Sequence, residues 1–158
     1  MMPLHRLVSN LRRDSEGAMV IETAIVAPVL VLLSLGAFQV STIIARQSEL
    51  QSAAAEAAAI ALAAAPDTFA RRVTVKGVIQ ASTGLAADKV IVSEVFRCDS
   101  QTGYVSNANS CNSGNVRSRF IRVQLLDTYT PTWTRFGVGS AINFNEVRNV
   151  MYKQEQAN

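Results

Sequence analysis

From Ala18 to Val40 the chain reads "AMVIETAIVAPVLVLLSLGAFQV", an apolar run whose only ionisable residue is Glu22. As a helix rising 1.5 Å per residue it spans about 34 Å, enough to cross a hydrocarbon layer. The pattern then changes without a break. "STIIARQSELQSAAAEAAAIALAAA" follows, rich in Ala, Leu, Gln and Glu and free of Gly and Pro until Pro66. These are strong helix formers, so one helix is expected from Ala18 to Ala65, roughly 70 Å long at standard rise. Pro28 lacks an amide hydrogen and should kink it or loosen a turn, with Gly36 a second soft point. No apolar heptad is sustained, so the segment does not read as a coiled coil.

Beyond Pro66 the periods shorten. "PDTFARRVTVKGVIQASTG" predicts a short second helix, opened by Pro66 and Asp67 and ended by Gly84. Arg71, Arg72 and Lys76 are expected on its solvated face, or against phospholipid head groups. Three strand-like runs come next: "DKVIVSEVFR", "RSRFIRVQLLDTYT" and "SAINFNEVRNVMYK". In the second, Ile121, Val123 and Leu125 alternate with Arg122 and Gln124, the pattern of a half-buried strand. "PTWTRFGVG" reads as a linker whose Trp133 and Phe136 are expected to cap a small core, the alternative being a subunit-contact anchor. The expected class is α+β: a long amino-terminal helix, a short second helix and a small antiparallel three-stranded sheet packed on the first.

Composition narrows the function. The 158 residues allow one modest domain plus an anchor, and the net charge of +3 comes from 15 basic and 12 acidic residues. The basic residues are scattered, whereas a nucleic-acid surface needs a dense basic face, so no nucleic-acid partner is expected. Twelve residues separate Cys98 from Cys111 in a polar loop. Outside the cytoplasm these two favour a disulfide, against the alternative of two reduced thiols; closing a loop of this size contributes roughly 3 kcal/mol. Two cysteines without a nearby histidine are too few ligands for zinc, and no metal or other cofactor is expected. The single histidine, His5, lies ahead of the apolar run. Asp88, Glu94, Asp99, Asp127 and Glu146 are dispersed, and there is neither a phosphate-binding loop nor a dinucleotide turn. An enzyme is not expected.

Glu22 is the feature that discriminates among membrane readings. Arg6, Arg12 and Arg13 precede the apolar run, which keeps the amino end cytoplasmic and exports the rest. A secretory signal cut before Ala37 and an uncleaved anchor both fit that layout. A carboxylate at the bilayer centre costs about 2.5–3.5 kcal/mol on insertion scales, and neither of those needs it. A cut between Gly17 and Ala18 would place a new α-amino group four residues before Glu22. That positive charge, with the helix dipole, would favour the carboxylate, within one chain or across two.

Gly17, the following "AMVIE" with glutamate at its fifth position, and "TAIVAPVLVLL" resemble the cleavage region of type IV prepilins. With Pro28 six residues after the glutamate, they resemble more narrowly the TadE-like pseudopilins of tight-adherence (Tad/Flp) pili. "ARQ" with its Ala-rich continuation, "DTYTPTWTRFG" and the final strand are similar too, and the cysteine loop is the least matched part. The resemblance implies a cytoplasmic leader at 1–17, a retained long helix at 18–65 with its membrane segment at 18–40, and a periplasmic α+β domain at 66–158. It implies cleavage by a prepilin peptidase between Gly17 and Ala18, with Glu22 used in subunit packing. Implied partners are that peptidase, other pilins and pseudopilins, the inner-membrane assembly platform and the lipid bilayer. The expected role is in priming, incorporation or capping of an adherence pilus. The competing expectation is a membrane-tethered or secreted periplasmic domain that recognises a ligand through the cysteine loop.

Overall fold

A computed structural model describes residues 15–99 and 101–157. The residues before Ser15, which hold His5 and most of the expected leader, lie outside the described part. The elements are α1 (Ser15–Ala64), α2 (Phe69–Thr83), β1 (Val90–Cys98), β2 (Val116–Tyr129) and β3 (Ile142–Gln156), with two short 3-10 turns at Ala108–Ser110 and Thr132–Phe136. This is the expected α+β arrangement. The second 3-10 turn lies inside the stretch read as a linker.

Helix α1 begins three residues ahead of the expected Ala18, so Gly17 and Ala18 lie within its first turns. Gly17 is the only weak helix former there, and one glycine costs about 1 kcal/mol, too little to stop a helix with a long favourable sequence behind it. The helix continues through Pro28, which itself donates no bond to the preceding turn. At the other end Ala65 takes a positive φ of 39° and donates its amide to the Ala61 carbonyl at 3.0 Å. Pro66 follows and disfavours helical backbone at the residue before it, which is why the helix stops there.

The backbone separates into two compact units, Met1–Thr42 and Ile43–Asn158. In its described residues the first is the apolar part of α1. The second holds the remainder of α1 with everything downstream, and contains the hydrophobic core. Leu50, Ala54, Ala57 and Ala61, spaced to share one face of α1, are buried there with Val75 and Ile79 of α2 and with Val90, Ile121, Val123, Leu125 and Phe144 of the sheet. The alanines have little volume. Bulky sheet residues supply what a close-packed interior needs.

Helix α2 starts later than expected. Thr68, not Pro66 or Asp67, is its N-cap, its hydroxyl accepting from the Arg71 amide at 3.3 Å. Gly84 closes it as expected, in the left-handed conformation at φ 68°. The sheet is antiparallel in the order β1-β2-β3, with a bulge at Arg119/Phe120. Its register sets two faces. Val90, Val92 and Glu94 lie opposite Leu125, Val123 and Ile121 on the helix-covered face. Arg97, Ser118 and Gln154 form one cross-strand row on the other.

The described residues of the polar loop after β1 make backbone contacts with the sheet. Phe96 and Val105 exchange backbone hydrogen bonds at 2.8 Å, and the Asn107 side chain caps the 3-10 turn at Asn109. Ala157 donates to Asn115 and accepts from Gly114, holding the end of β3 to the same loop.

Candidate functional site

Among the described residues of the first unit, the surface is mostly apolar. Met19, Val20, Leu32 and Phe38 are each close to 70% exposed, and most other large apolar side chains up to Ile44 are exposed too. The helix contains a window of mean hydropathy 2.2 of which none is buried against protein. Exposed apolar area on this scale has no stable place in water. Its length and composition are those of a single membrane span.

Polar groups within the span are mostly answered inside the helix. Thr23 donates to the Met19 carbonyl at 2.8 Å, Ser34 to Leu30 at 2.8 Å and Thr42 to Phe38 at 3.0 Å. Such bonds to the preceding turn satisfy hydroxyls that lipid cannot. Glu22 is different. It is exposed, it lines a shallow groove with Met19, Thr23, Val26, Ala27 and Leu30, and it makes no hydrogen bond or ion pair among the described residues. Met19 and Val26, a helical turn away on either side, place the carboxylate in an apolar stripe. Gly17 is exposed just before it, with open space around its α-carbon.

The second unit holds its charges differently. Glu94 on the covered face of β1 accepts from Arg119 at 2.8 and 2.5 Å and from the Tyr152 hydroxyl at 2.6 Å on one oxygen, and from Arg72 at 3.1 Å on the other. All three charged side chains are largely buried. Removing one partner from so buried a set costs about 3–5 kcal/mol. Burial works against the charge on Arg119, but its hydrogen bond to Glu94 prevails and its pKa is raised. Burial, then the bond to Glu94, pushes the Tyr152 phenol up. Arg72 therefore leaves the solvated face expected for it, because α2 lies close enough to β1 for its side chain to reach Glu94. Arg71 stays outside, paired with Asp67 at 3.2 Å.

At the opposite end of the sheet Arg46 of α1 meets Asp127 at 2.6 Å and Glu49 at 2.8 Å, and those bonds, in that order, raise its pKa. Nearer the disulfide, Glu155 accepts from Lys153 and Arg117, at 2.7 and 2.5 Å, and is held at about 2 against an ordinary 4.5. Cys98 and Cys111 are joined with a Cα separation of 5.3 Å, buried against Ala157 and Val105. Trp133 is half-buried beside Gly139 and lies outside the main core cluster. Of the residues singled out from sequence, Gly17, Ala18, Glu22 and Pro28 fall on α1 of the first unit and the cysteines in the second. The Glu94 cluster was not foreseeable from spacing, since its members are drawn from α2, β1, β2 and β3. Only the burial of a carboxylate at an inward position of β1 hinted at it. Among the described residues no group of three or more His, Cys, Asp and Glu is gathered where a metal ion could be held.

A family model described as TadE-like protein matches residues 17–59, from the glycine ahead of the apolar run to the Ala-rich part of α1. No curated protein and no solved structure matches the chain.

Proposed function

We propose, from the premise that residues 17–59 are a TadE-like segment of the pilin type found in Tad systems, that this protein is a pseudopilin or minor pilin. It takes part in priming, incorporation or capping of a Tad pilus and performs no catalysis of its own. A prepilin peptidase cuts it between Gly17 and Ala18 on the cytoplasmic side. The exported domain then faces the periplasm, anchored by residues 18–40 in the inner membrane.

The observation that carries this reading is Glu22, without a hydrogen-bond or ion-pair partner among the described residues, on an exposed and mostly apolar part of the helix inside the matched segment. Cleavage creates an α-amino group with an ordinary pKa of about 8, protonated at neutral pH. It lies about 6 Å along the axis from the glutamate at 1.5 Å per residue. The amine of one subunit meeting the carboxylate of the next would neutralise both in lipid, while the apolar sheath supplies packing area between helices. A lone carboxylate would oppose insertion; a paired one makes insertion depend on assembly. Leucine-rich anchors and secretory signals gain nothing from such a residue. The start of α1 at Ser15 adds a requirement, since a peptidase must unwind the turn around Gly17 to reach the bond.

The deciding experiment is mass spectrometry of the mature amino terminus in membranes of a host with the cognate peptidase and pilus system. A start at Ala18 is expected. Glu22→Gln should be cut normally yet lose piliation, or adherence, at least tenfold, about 1.4 kcal/mol or more of assembly free energy. A start at Ala37, or an intact amino terminus, would remove the pilin reading.

A further inference from the structure

The outer face of the sheet carries a chemistry that the membrane helix does not use. Arg97, Ser118 and Gln154 lie in one row across β1, β2 and β3. With Asp99, Gln101 and Thr102 from the start of the disulfide loop they line a half-open polar cleft of about 410 Å³. That volume is within the range of about 300–1,000 Å³ common to small-ligand sites.

The arginines are sorted by face. On the covered face Arg117 and Arg119 are matched to Glu155 and Glu94. On the outer face Arg97 and Arg122 have no carboxylate partner among the described residues; Arg122 bonds only the Asn149 amide oxygen, at 3.0 Å. Both are held on rings instead. The Arg97 guanidinium sits 5.4 Å from the centroid of buried Phe120, and Arg122 sits 5.4 Å from that of Tyr104, which meets Phe120 edge-on at 5.0 Å. Stacking of this kind fixes the guanidinium plane without neutralising it. The disulfide at Cys98 and the Phe96–Val105 bridge flank the loop residues that line the cleft.

We infer that this cleft binds an acidic saccharide of the uronic-acid type, its carboxylate on Arg97 and its hydroxyls on Ser118, Thr102, Asp99 and the two glutamine amides. Arg97 supplies the planar donor fork that a carboxylate fits. Asp99 would repel a purely anionic ligand such as a phosphate chain, but it accepts hydrogen bonds from sugar hydroxyls. The mixture of one cation, one carboxylate, hydroxyls and amides suits a polyol bearing a single negative charge. Two isolated arginines are too sparse for the backbone of a nucleic acid. This inference stands independently of the pilin reading.

The test uses the full oxidised chain in neutral detergent and three probes: tri-galacturonate, glucuronate-terminated trisaccharide and sialyllactose, each beside its neutral counterpart. Binding is read by calorimetry. At least one acidic probe should bind, its neutral counterpart at least about tenfold more weakly. Arg97→Gln should lower that affinity by about tenfold or more, and Arg97→Lys by less. Arg148→Gln on the edge strand should change nothing. Circular dichroism and an intact disulfide establish that each variant is folded, and a second variant, Ser118→Ala, guards against misfolding of the first. No binding by any acidic probe overturns the inference. So does equal binding of acidic and neutral sugars, or equal affinity of the parent and a folded Arg97→Gln. Single-stranded DNA that displaces the sugar at equal or lower concentration would assign the cleft to phosphate and overturn it as well.

Discussion

Single side chains in this protein behave according to what surrounds their charge. Glu22 has mostly apolar neighbours and no partner among the described residues, whereas Glu94 and Glu155 are met by cations. The consequence for Glu155 has a definite sign. Its folded pKa of about 2 lies below the ordinary 4.5, through its bonds to Lys153 first and Arg117 second. The native state therefore holds the proton less tightly than the unfolded chain, and the stabilisation is fully present above about pH 4.5. It is lost progressively as pH falls toward 2. Unfolding by denaturant, followed from pH 6 to pH 2, should show that decline. Glu155→Gln should flatten its acid limb, and an unchanged limb would mean that other carboxylates govern it.

At the scale of elements, helix ends are where local rules and local residues disagree most. Gly84 and Gly137 take positive φ without strain, but Ala65 takes φ 39° with a Cβ present. Left-handed backbone costs a non-glycine residue about 1–2 kcal/mol, and glycine at the same place returns about 0.5–1 kcal/mol of that as lost chain entropy. Ala65→Gly should therefore stabilise the domain by about 0.5 kcal/mol, visible as a rise in the denaturant midpoint with the slope unchanged. A fall would mean that Ala65 contributes packing that the conformation alone does not reveal. The same helix illustrates division of labour along one element. Its first part shows apolar residues on every side, as a membrane medium requires, and its second part shows a narrow alanine stripe that fits one sheet.

For the whole molecule, the unit from Ile43 onward is small, and its core is built partly from alanine, so covalent closure matters. The Cys98–Cys111 bridge ties the end of β1 to the loop that also holds the end of β3. Replacing both cysteines by serine should lower stability by about 2–4 kcal/mol and open the segment 99–110 to protease while the rest of the sheet stays resistant. Equal stability of the bridged and serine forms would mean that the loop is held by its backbone bonds alone. The domain can take such local losses because the Leu50–Ala61 stripe and the buried residues of the three strands form a separate cluster.

The long helix, its membrane length, the short second helix and the three strands were legible in the order of apolar residues, because both periods and the apolar run depend only on neighbours along the chain. The alternation at Ile121, Val123 and Leu125 gave the buried face of β2 directly. Element ends were less legible: the α1 start moved to Ser15, the α2 cap to Thr68, and the linker acquired a 3-10 turn, since ends depend on backbone bonds weaker than the pattern. Arg72 could not be placed from sequence at all. Whether it faces solvent or Glu94 depends on α2 lying against β1, which is a tertiary fact. The same holds for Arg97, whose lack of a carboxylate partner among the described residues is meaningful only beside the paired arginines of the opposite face. Sequence by itself determined the segments and the position of Glu22 within the apolar run, because hydrophobic periodicity is local. Tertiary structure alone decided which charges meet, because ion pairs and clefts join residues that the chain keeps far apart.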